Sequence, residues 1–382
     1  MDEKKKLKNN GQKSIKLEGS DISKQRIFIA TQTFPPRIGG MEYTMRSLAR
    51  NFAHTGFDVT VLPNHVYREP ESFRVINIRL IKPLRIIVKR FIIKLMLKDD
   101  DIVVCDSWKS INVVTRRFKG RLIVLAHGHE YLKDPRHNKR IKSALGRATL
   151  VVANSEFTAD LIKDRYHFSE QKIKIIPPTY MLNEISPPRK TSKKNGDIRL
   201  ISICRLDRHK GLREAVQAIS NAKELNTDWR WDIIGNGDEE KPLKQLVKDL
   251  QLEKNIKFFH SVGDAEKISF LEQADLFVMP SYQTTEGVEG FGISYMEAAQ
   301  YGVPAIAGNS AGSVSAVIDG QTGWCVDAQN GSQLQNALTA AINSQEERLR
   351  RGSAAYQRFV ANFSGPQVSK TFIENMVKEK HV

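Results

Sequence analysis

Cysteine is scarce in this 382-residue chain: there are three, Cys105, Cys204 and Cys325, and each lies in a short apolar run. An odd number without the spacing of metal ligands argues against a disulfide framework or a cysteine-held metal. Long apolar stretches are also lacking, since no run approaches the ~20 residues that a membrane-spanning helix requires. We therefore expect a cytosolic protein whose thiols are reduced and pack as small apolar groups.

Acidic residues are outnumbered, because 43 Asp and Glu against 59 Lys and Arg give a formal net charge of +16. This surplus favours polyanionic partners, namely nucleic acid, an anionic bilayer or phosphorylated substrates. Aromatic residues make up only 8% of the chain and do not alternate with basic clusters, as stacking on bases requires. Nucleic acid is therefore not an expected partner.

The length and the spacing of the apolar runs indicate two α/β domains. Residues 1–24 have no signal-peptide core and are predicted to form a disordered basic tail. We place a first domain at 25–180, a Pro-, Ser- and Lys-rich linker at 181–197 and a second domain at 198–360. The predicted strands lie at 26–31, 56–62, 101–105, 121–126, 150–154 and 174–177, and then at 199–204, 231–235, 256–260, 276–279 and 304–307. Their alternation with helical segments is typical of doubly wound, mostly parallel sheets, whose ligands bind at the carboxyl ends of the strands.

The most informative segment, 286–304, combines glycines with carboxylates, of which Glu289 and Glu297 carry the argument. Gly290 and Gly292 allow the backbone to approach a ligand, and a helix predicted to begin at about Gly292 offers its first N–H groups to an anion. Glu289 precedes this helix, and Glu297 lies on it about 7 Å from its start, at ~1.5 Å per residue. The arrangement suits a ligand with a phosphate and a sugar at one end and a ribose diol at the other.

This segment resembles the E-x7-E signature of the retaining glycosyltransferases of GT-B family 4, and further matches follow in order from about Arg26 to Val326. Its sequence Glu-Gly-Val-Glu-Gly-Phe-Gly, together with His127-Gly-His-Glu, most resembles the bacterial branch that builds glycolipids and surface polysaccharides. The resemblance implies two Rossmann-like domains that face an interdomain cleft, with the nucleotide-sugar donor mainly on the second. It also implies that a C-terminal helix within 361–382 packs back on the first domain.

The resemblance assigns roles on the donor side of the cleft. Arg205 and Lys210 frame a basic loop after the first strand of the second domain, where fixed cations can neutralise a departing diphosphate. By itself such a loop is more often a solvated turn. Glu297 is expected to hold the ribose hydroxyls. Further contacts to sugar and phosphate are expected from Glu289, Gly290, Phe291, Gly292 and Ile293.

Three other positions are candidate site residues. Gly39 and Gly40 end a strand–loop and begin a helix, so their N–H groups can face phosphate or the acceptor. Gly235 follows a strand and is expected beside the nucleotide base. His127 follows a strand at the cleft edge, where a family histidine lies near the transferred sugar, although His129 leaves open which imidazole faces the cleft.

Neither a metal nor a cofactor is expected. Asp99, Asp100 and Asp101 precede a strand without a nearby histidine, so we interpret them as a solvated turn. The chain departs from the family pattern at one place: the segment 311–316 lacks the glutamate that usually follows the family's Gly-Gly pair. This loss bears on sugar selectivity or turnover rather than on the fold.

The resulting expectation is a metal-independent, retaining hexosyltransferase. It would move a hexose from a nucleotide-diphosphate sugar to a lipid-linked or polysaccharide/lipopolysaccharide acceptor. No carboxylate is obviously placed as a nucleophile, which favours front-face transfer over double displacement. The alternatives are a nucleotide-sugar epimerase or phosphorylase on the same fold, and a non-catalytic basic protein that binds membranes or nucleic acid.

A basic segment at 79–98 carries seven basic residues and no acidic one. One predicted helical face carries Leu84, Val88, Phe91, Ile92 and Leu95, while Lys89, Arg90, Lys94 and Lys98 lie off that face. Either the helix packs on the sheet through this face with its lysines reaching outward, or it docks the protein on the anionic cytoplasmic leaflet. The second interpretation predicts a peripheral protein of the cytoplasmic face of the inner membrane.

Overall fold

The computed structural model describes residues 25–37, 39–132, 135–179, 197–222, 225–260, 262–285 and 287–378. Within these ranges the chain forms two parallel sheets, each covered by helices. The predicted tail 1–24 and almost the whole predicted linker lie outside the described residues. No helix among the described residues is long and apolar enough to cross a bilayer.

The first sheet, as described, has seven strands in the order β3-β2-β1-β4-β5-β6-β7. Its strands are β1 (Arg26–Ala30), β2 (Asp58–Leu62), β3 (Arg74–Val75), β4 (Ile102–Cys105), β5 (Arg121–Ala126), β6 (Leu150–Ala153) and β7 (Ile173–Ile175). Its helices are α1 (Gly40–His54), α2 (Lys82–Met96), α3 (His129–Leu132), α4 (Asn138–Leu145) and α5 (Glu156–Tyr166).

The second sheet, within the same ranges, has six strands in the order β10-β9-β8-β11-β12-β13. Its strands are β8 (Ile198–Ile203), β9 (Trp229–Ile234), β10 (Ile256–Phe259), β11 (Leu276–Met279), β12 (Ala305–Gly308) and β13 (Gly323–Val326). The remaining helices are α6 (Leu212–Ser220), α7 (Glu240–Asp249), α8 (Asp264–Gln273), α9 (Ile293–Gln300), α10 (Ser313–Ala316), α11 (Gly331–Asn343), α12 (Gln345–Arg358) and α13 (Gly365–Lys378).

The strands are uninterrupted apolar runs because both faces of each sheet are buried. In β1, Ile27 and Ile29 join one core, whereas Phe28 and Ala30 join the core on the opposite face. This alternation follows from the two-residue period of a strand. Every apolar run that the sequence predicted as a strand is a strand of one of the two sheets.

Strand order reverses between β1 and β4 in the first sheet and between β8 and β11 in the second. Loops after such strands diverge and leave a crevice for ligands. The described parts of the loops after β1, β4, β8 and β11 include residues 31–37, 39, 106–109, 204–207, 280–285 and 287–292. They supply most of the candidate site described below.

The C-terminal helix α13 lies against α1 of the first domain. Val368 and Phe372 are buried in the core of that domain, and the ring of Phe372 lies 5.4 Å from that of Phe52 on α1. Phe359 and Phe363, in the turn before α13, are still buried in the second domain. The chain therefore returns to the first domain between Phe363 and Val368.

One of the two alternatives for α2 and the solvated turn at Asp101 are wrong. Most of the predicted apolar face of α2 does not pack on the sheet: Phe91 and Leu95 are 62% and 68% exposed, and only its edge at Ile92 packs, partly buried, against a core of the first domain. Lys89 is buried instead, and its Nζ donates to the carbonyl of Leu62 at 2.8 Å and to Oδ1 of Asn64 at 2.7 Å. Asp101 is not solvated either, because its buried carboxylate accepts hydrogen bonds from the Arg26 guanidinium at 2.6 and 2.8 Å.

Candidate active site at the interdomain cleft

Helix α9 begins at Ile293, directly after Gly292, as the sequence predicted. Gly292 has φ of 93°, a left-handed conformation that glycine adopts without steric cost. Glycine also has no side chain with which to cap the helix, and none caps it in the structure. The first N–H groups of α9 are therefore available to an anion, with the positive end of the helix dipole behind them.

Lys210 and Glu289 form an ion pair beside this helix start, with Nζ 2.6 Å from Oε2. Lys210 ends a short helical turn after β8, and Glu289 lies in the loop after β11, so the pair joins the two loops at the point of strand reversal. Both side chains are only 13% exposed. Burial lowers the pKa of Lys210, but the Glu289 carboxylate, together with Cys204 and Asp207, holds that pKa above its ordinary value. The site thus contains a fixed cation.

The structure does not bring Arg205 to the same place. Its side chain is 69% exposed and pairs with Asp207 at 2.6 Å. His209, between these basic residues, is buried, and burial together with the Lys210 cation lowers its pKa to about 4. His209 is therefore neutral, which leaves Lys210 as the inward-facing charge of the loop.

Glu297 is buried on α9 and forms an ion pair with Lys267 of α8, in which Oε1 of Glu297 lies 2.7 Å from Nζ of Lys267. The Lys267 ammonium also lies 5.5 Å from the ring centroid of Tyr43, on α1 of the first domain. The Tyr43 hydroxyl donates to Oδ1 of Asp264 at 2.7 Å. Glu297 therefore belongs to a polar cluster that crosses the cleft.

A second contact across the cleft is made at Gly290. The Ser155 hydroxyl, which also caps α5, donates to the carbonyl oxygen of Gly290 at 2.7 Å. A Cβ added at Gly290 would overlap the carbonyl oxygen of His127. The missing side chain at Gly290 is what allows the loop of the second domain to reach the first. Contact of Phe291 or Gly290 with a donor remains a prediction.

The starts of α1 and α9 face each other across the cleft. A Cβ at Gly40 would lie 2.8 Å from Cδ1 of Ile293, so the two helix N-termini are in contact. Gly39 precedes α1 and, like Gly292 before α9, has no side chain that could cap the helix. The buried Glu42 carboxylate lies beside it. An acidic side chain in the first turn of a helix is favoured by the dipole. That pattern is the sequence signal for Glu42, which sequence reasoning missed.

His127 lies at the cleft edge, half-buried, with Nε2 3.0 Å from the carbonyl oxygen of Asp106. The buried Asp106 carboxylate in turn accepts from the backbone N–H of Gln32 at 2.6 Å and of Thr33 at 2.9 Å. Asp106 therefore fixes the loop between β1 and α1. It is the first polar residue after β4, and its place at a strand reversal is the signal that could have identified it.

Gly235 lies at the carboxyl end of β9, where a Cβ would overlap the carbonyl oxygen of Cys204. Glycine is thus required at position 235 because two protein loops approach each other there. That Gly235 lies beside the nucleotide base of the donor stays a prediction. Among the described residues, no group of three or more His, Cys, Asp or Glu is arranged to hold a metal ion.

Substitution of Gly290 by alanine should force the two domains apart at the His127 contact. We expect the free energy of unfolding to fall by about 1–3 kcal/mol, as for overpacked sites. Chemical denaturation would measure it. Gly331→Ala is the matched control, because no atom lies within 4 Å of a Cβ at that position. Equal stability of both variants would contradict the contact.

Two family models match the chain. Residues 38–182 match the model described as Glycosyltransferase Family 4, and residues 185–358 match the model described as Glycosyl transferases group 1. The boundary between the two matches coincides with the boundary between the two domains.

Curated relatives carry related names. The chain is 25% identical over 354 residues to a GDP-mannose-dependent alpha-(1-6)-phosphatidylinositol monomannoside mannosyltransferase of Mycolicibacterium smegmatis, which covers 86% of this chain and 91% of that one. It is 30% identical over 154 residues to WcaL of Escherichia coli K12, a protein named for colanic acid biosynthesis. That match spans 40% of this chain and 38% of WcaL, so it extends over less than half of either protein.

A solved structure has the same architecture. Anabaena HepE, in complex with UDP and glucose, superposes with a TM-score of 0.72 at 17% identity, covering 93% of this chain and 99% of that one. At this identity the likeness concerns the fold, two Rossmann-like domains that face a cleft. The superposition shows the GT-B fold, and the two family models, which between them match most of the chain, show that it belongs to glycosyltransferase family 4, the group 1 glycosyltransferases.

Proposed function

We propose that the protein is a retaining glycosyltransferase that transfers a hexose from a nucleotide-diphosphate sugar. The observation that carries the proposal is the buried Lys210–Glu289 pair at the start of α9, with Glu297 on the same helix. A cation and free helix N–H groups suit a diphosphate, and a carboxylate one turn farther along suits a ribose diol. The names of the relatives support sugar transfer as the reaction.

The chemistry follows from where negative charge develops. The bond between C1 of the sugar and the diphosphate oxygen breaks, and Lys210 with the amides of Gly292 and Ile293 stabilises the departing diphosphate. The acceptor oxygen forms its bond to C1 on the same face, and its proton passes to an oxygen of the leaving phosphate. Glu289 orients the Lys210 ammonium and lies where it can accept from sugar hydroxyls. In this proposal Arg205, now turned to solvent, reaches the diphosphate only when donor is bound.

The acceptor is proposed to be a lipid-linked saccharide or a surface glycan. The support is the M. smegmatis relative, whose name includes phosphatidylinositol monomannoside, and WcaL, which is named for colanic acid biosynthesis. The name of the M. smegmatis relative, with the UDP bound to HepE, makes GDP- and UDP-sugars the first donors to test. We place the protein peripherally at the cytoplasmic face of the inner membrane, and nucleic acid is not among the proposed partners.

A donor screen tests the reaction. Purified protein is incubated with UDP-, GDP- and ADP-hexoses, and release of nucleoside diphosphate is followed together with the anomeric configuration of the transferred sugar by NMR. We expect one nucleotide to be preferred and the anomeric configuration to be kept. Conversion of the donor to an isomeric sugar nucleotide would identify an epimerase, and inversion at C1 would contradict retention.

Turnover should survive chelation, because Lys210 and the helix amides take the position of a metal ion at the diphosphate. We expect the rate with the preferred donor to be unchanged in excess EDTA. Loss of activity that magnesium or manganese restores would overturn the metal-independent mechanism while leaving the transfer reaction itself in place.

A further inference from the structure

Helix α2 carries an apolar stripe that faces solvent. It consists of Leu84, Ile87, Phe91 and Leu95, which follow one another along one side of the helix, and it extends into Leu80 and Ile81 just before the helix. Phe91 and Leu95 are more than half exposed, and Ile81 is 67% exposed. Most of the exposed large apolar residues of the described chain lie between 80 and 95. Contiguous apolar surface of this kind marks an interaction site.

The stripe is held outward by polar contacts on the opposite side of the helix. Lys89 donates to the carbonyls of Leu62 and Thr31 at the ends of β2 and β1, at 2.8 and 3.3 Å. Arg90, at the border between that side and the stripe, donates through Nε to the carbonyl of Asn112 at 2.7 Å while its side chain stays exposed. Turning the stripe inward would break these bonds and leave the carbonyls at the ends of β1 and β2 without the donor that Lys89 supplies, which is costly for buried polar groups. The outward orientation is therefore a property of the fold.

The charge beside the stripe is basic. Arg90 and Lys94 are exposed along one flank of the stripe, and Lys98 follows the helix. A second copy of this surface, or the lysine-rich segment 1–24 with its seven Lys and four acidic residues, would meet charge of its own sign. An anionic bilayer offers both negative charge and an apolar interior for the stripe.

We infer that α2 docks the first domain on an anionic lipid bilayer, with the stripe inserted at the headgroup boundary and Arg90, Lys94 and Lys98 at the phosphates. The helix is anchored at the carboxyl ends of β1 and β2, the edge of the sheet that borders the cleft. Docking thus brings the loop between β1 and α1 toward the lipid. That this serves a lipid-linked acceptor rests on the proposed function, whereas docking itself does not.

The contribution of the apolar stripe to docking is tested by co-sedimentation with phosphatidylglycerol-containing vesicles and with pure phosphatidylcholine vesicles. We expect binding only to the anionic vesicles. Phe91→Ser with Leu95→Ser should weaken it by about tenfold or more, because two apolar side chains are lost from the interface. Leu349→Ser with Val360→Ser is the matched control, since these side chains are exposed elsewhere on the surface.

The contribution of the basic residues beside the stripe is tested by the double variant Lys94→Gln with Lys98→Gln. At about fivefold per basic residue near an anionic surface, the pair should weaken binding roughly 30-fold at low salt, and added salt should weaken wild type as well. Lys248→Gln with Lys254→Gln removes the same charge from exposed positions of the second domain and should leave binding unchanged.

Three results would overturn the proposal: no binding of wild type to anionic vesicles at low salt, equal binding to neutral vesicles, or unchanged binding of both α2 variants. Light scattering adds a separate readout, because self-association that Phe91→Ser abolishes would assign the stripe to a second copy. Donor hydrolysis without vesicles should be the same in the α2 variants as in wild type. The proposed reaction and the docking surface can therefore fail independently.

Discussion

Substitution of Lys210 by methionine is expected to lower kcat by about 10²–10³-fold and to change donor affinity much less. Methionine keeps much of the side-chain length but removes the charge, and charge on the diphosphate is greatest in the transition state. The ammonium is held 2.6 Å from Glu289, so it needs no reorganisation when the bond to C1 breaks. Steady-state kinetics with the preferred donor would give kcat and KM separately.

The Lys210 variant also leaves the Glu289 carboxylate without its partner, which costs stability. The double variant Lys210→Met with Glu289→Gln removes that penalty, so it should regain stability without regaining turnover. Lys244→Met is the control, because it removes an exposed Lys–Glu pair on α7. A loss of activity that appears wholly in KM, or turnover restored in the double variant, would refute the leaving-group role of Lys210.

The second large effect is expected for Glu297→Gln, which should weaken binding of the nucleoside diphosphate by about 10- to 100-fold. A carboxylate that accepts from both ribose hydroxyls makes charge-assisted hydrogen bonds of about 1.5–3 kcal/mol, and the neutral amide cannot replace them. Calorimetry with UDP and GDP alone measures this without any turnover.

Lys267 gives this experiment a further control, because its Nζ lies 2.7 Å from Oε1 of Glu297. If Lys267 only positions the carboxylate, Lys267→Met should weaken nucleotide binding less than Glu297→Gln does. Glu272→Gln, an exposed carboxylate on α8, should have no effect. Unchanged affinity in Glu297→Gln would remove this residue from the donor site.

The strands could be predicted from the sequence because burial on both faces makes them continuous apolar runs. The start of α9 could be predicted as well, since a glycine in a left-handed conformation precedes it. Such signals are local: they need only the few residues around each element. Two strands are absent from the predicted set: β3, which has only two residues, and the short β13 at Gly323–Val326.

Contacts between residues distant in the chain could not be predicted from the sequence. Lys210 and Glu289 are 79 residues apart, and nothing in either loop tells which of Arg205 and Lys210 turns inward. The role of Gly290 was assigned to the ligand, whereas its nearest neighbour is a carbonyl of the other domain. Periodicity likewise identified the apolar face of α2 but not its direction, because a charged residue, Lys89, satisfies strand-end carbonyls inside the protein.

The return of α13 to the first domain means that the polypeptide passes between the domains twice, once between Thr179 and Asp197 and once between Phe363 and Val368. The second connection is short, because only four residues separate Phe363 from Val368, so the two domains are held together at α13 as well as through the segment after Thr179. It also follows that an excised first domain lacking α13 would expose the apolar surface that Val368 and Phe372 cover, so its boundaries in space are not its boundaries in sequence.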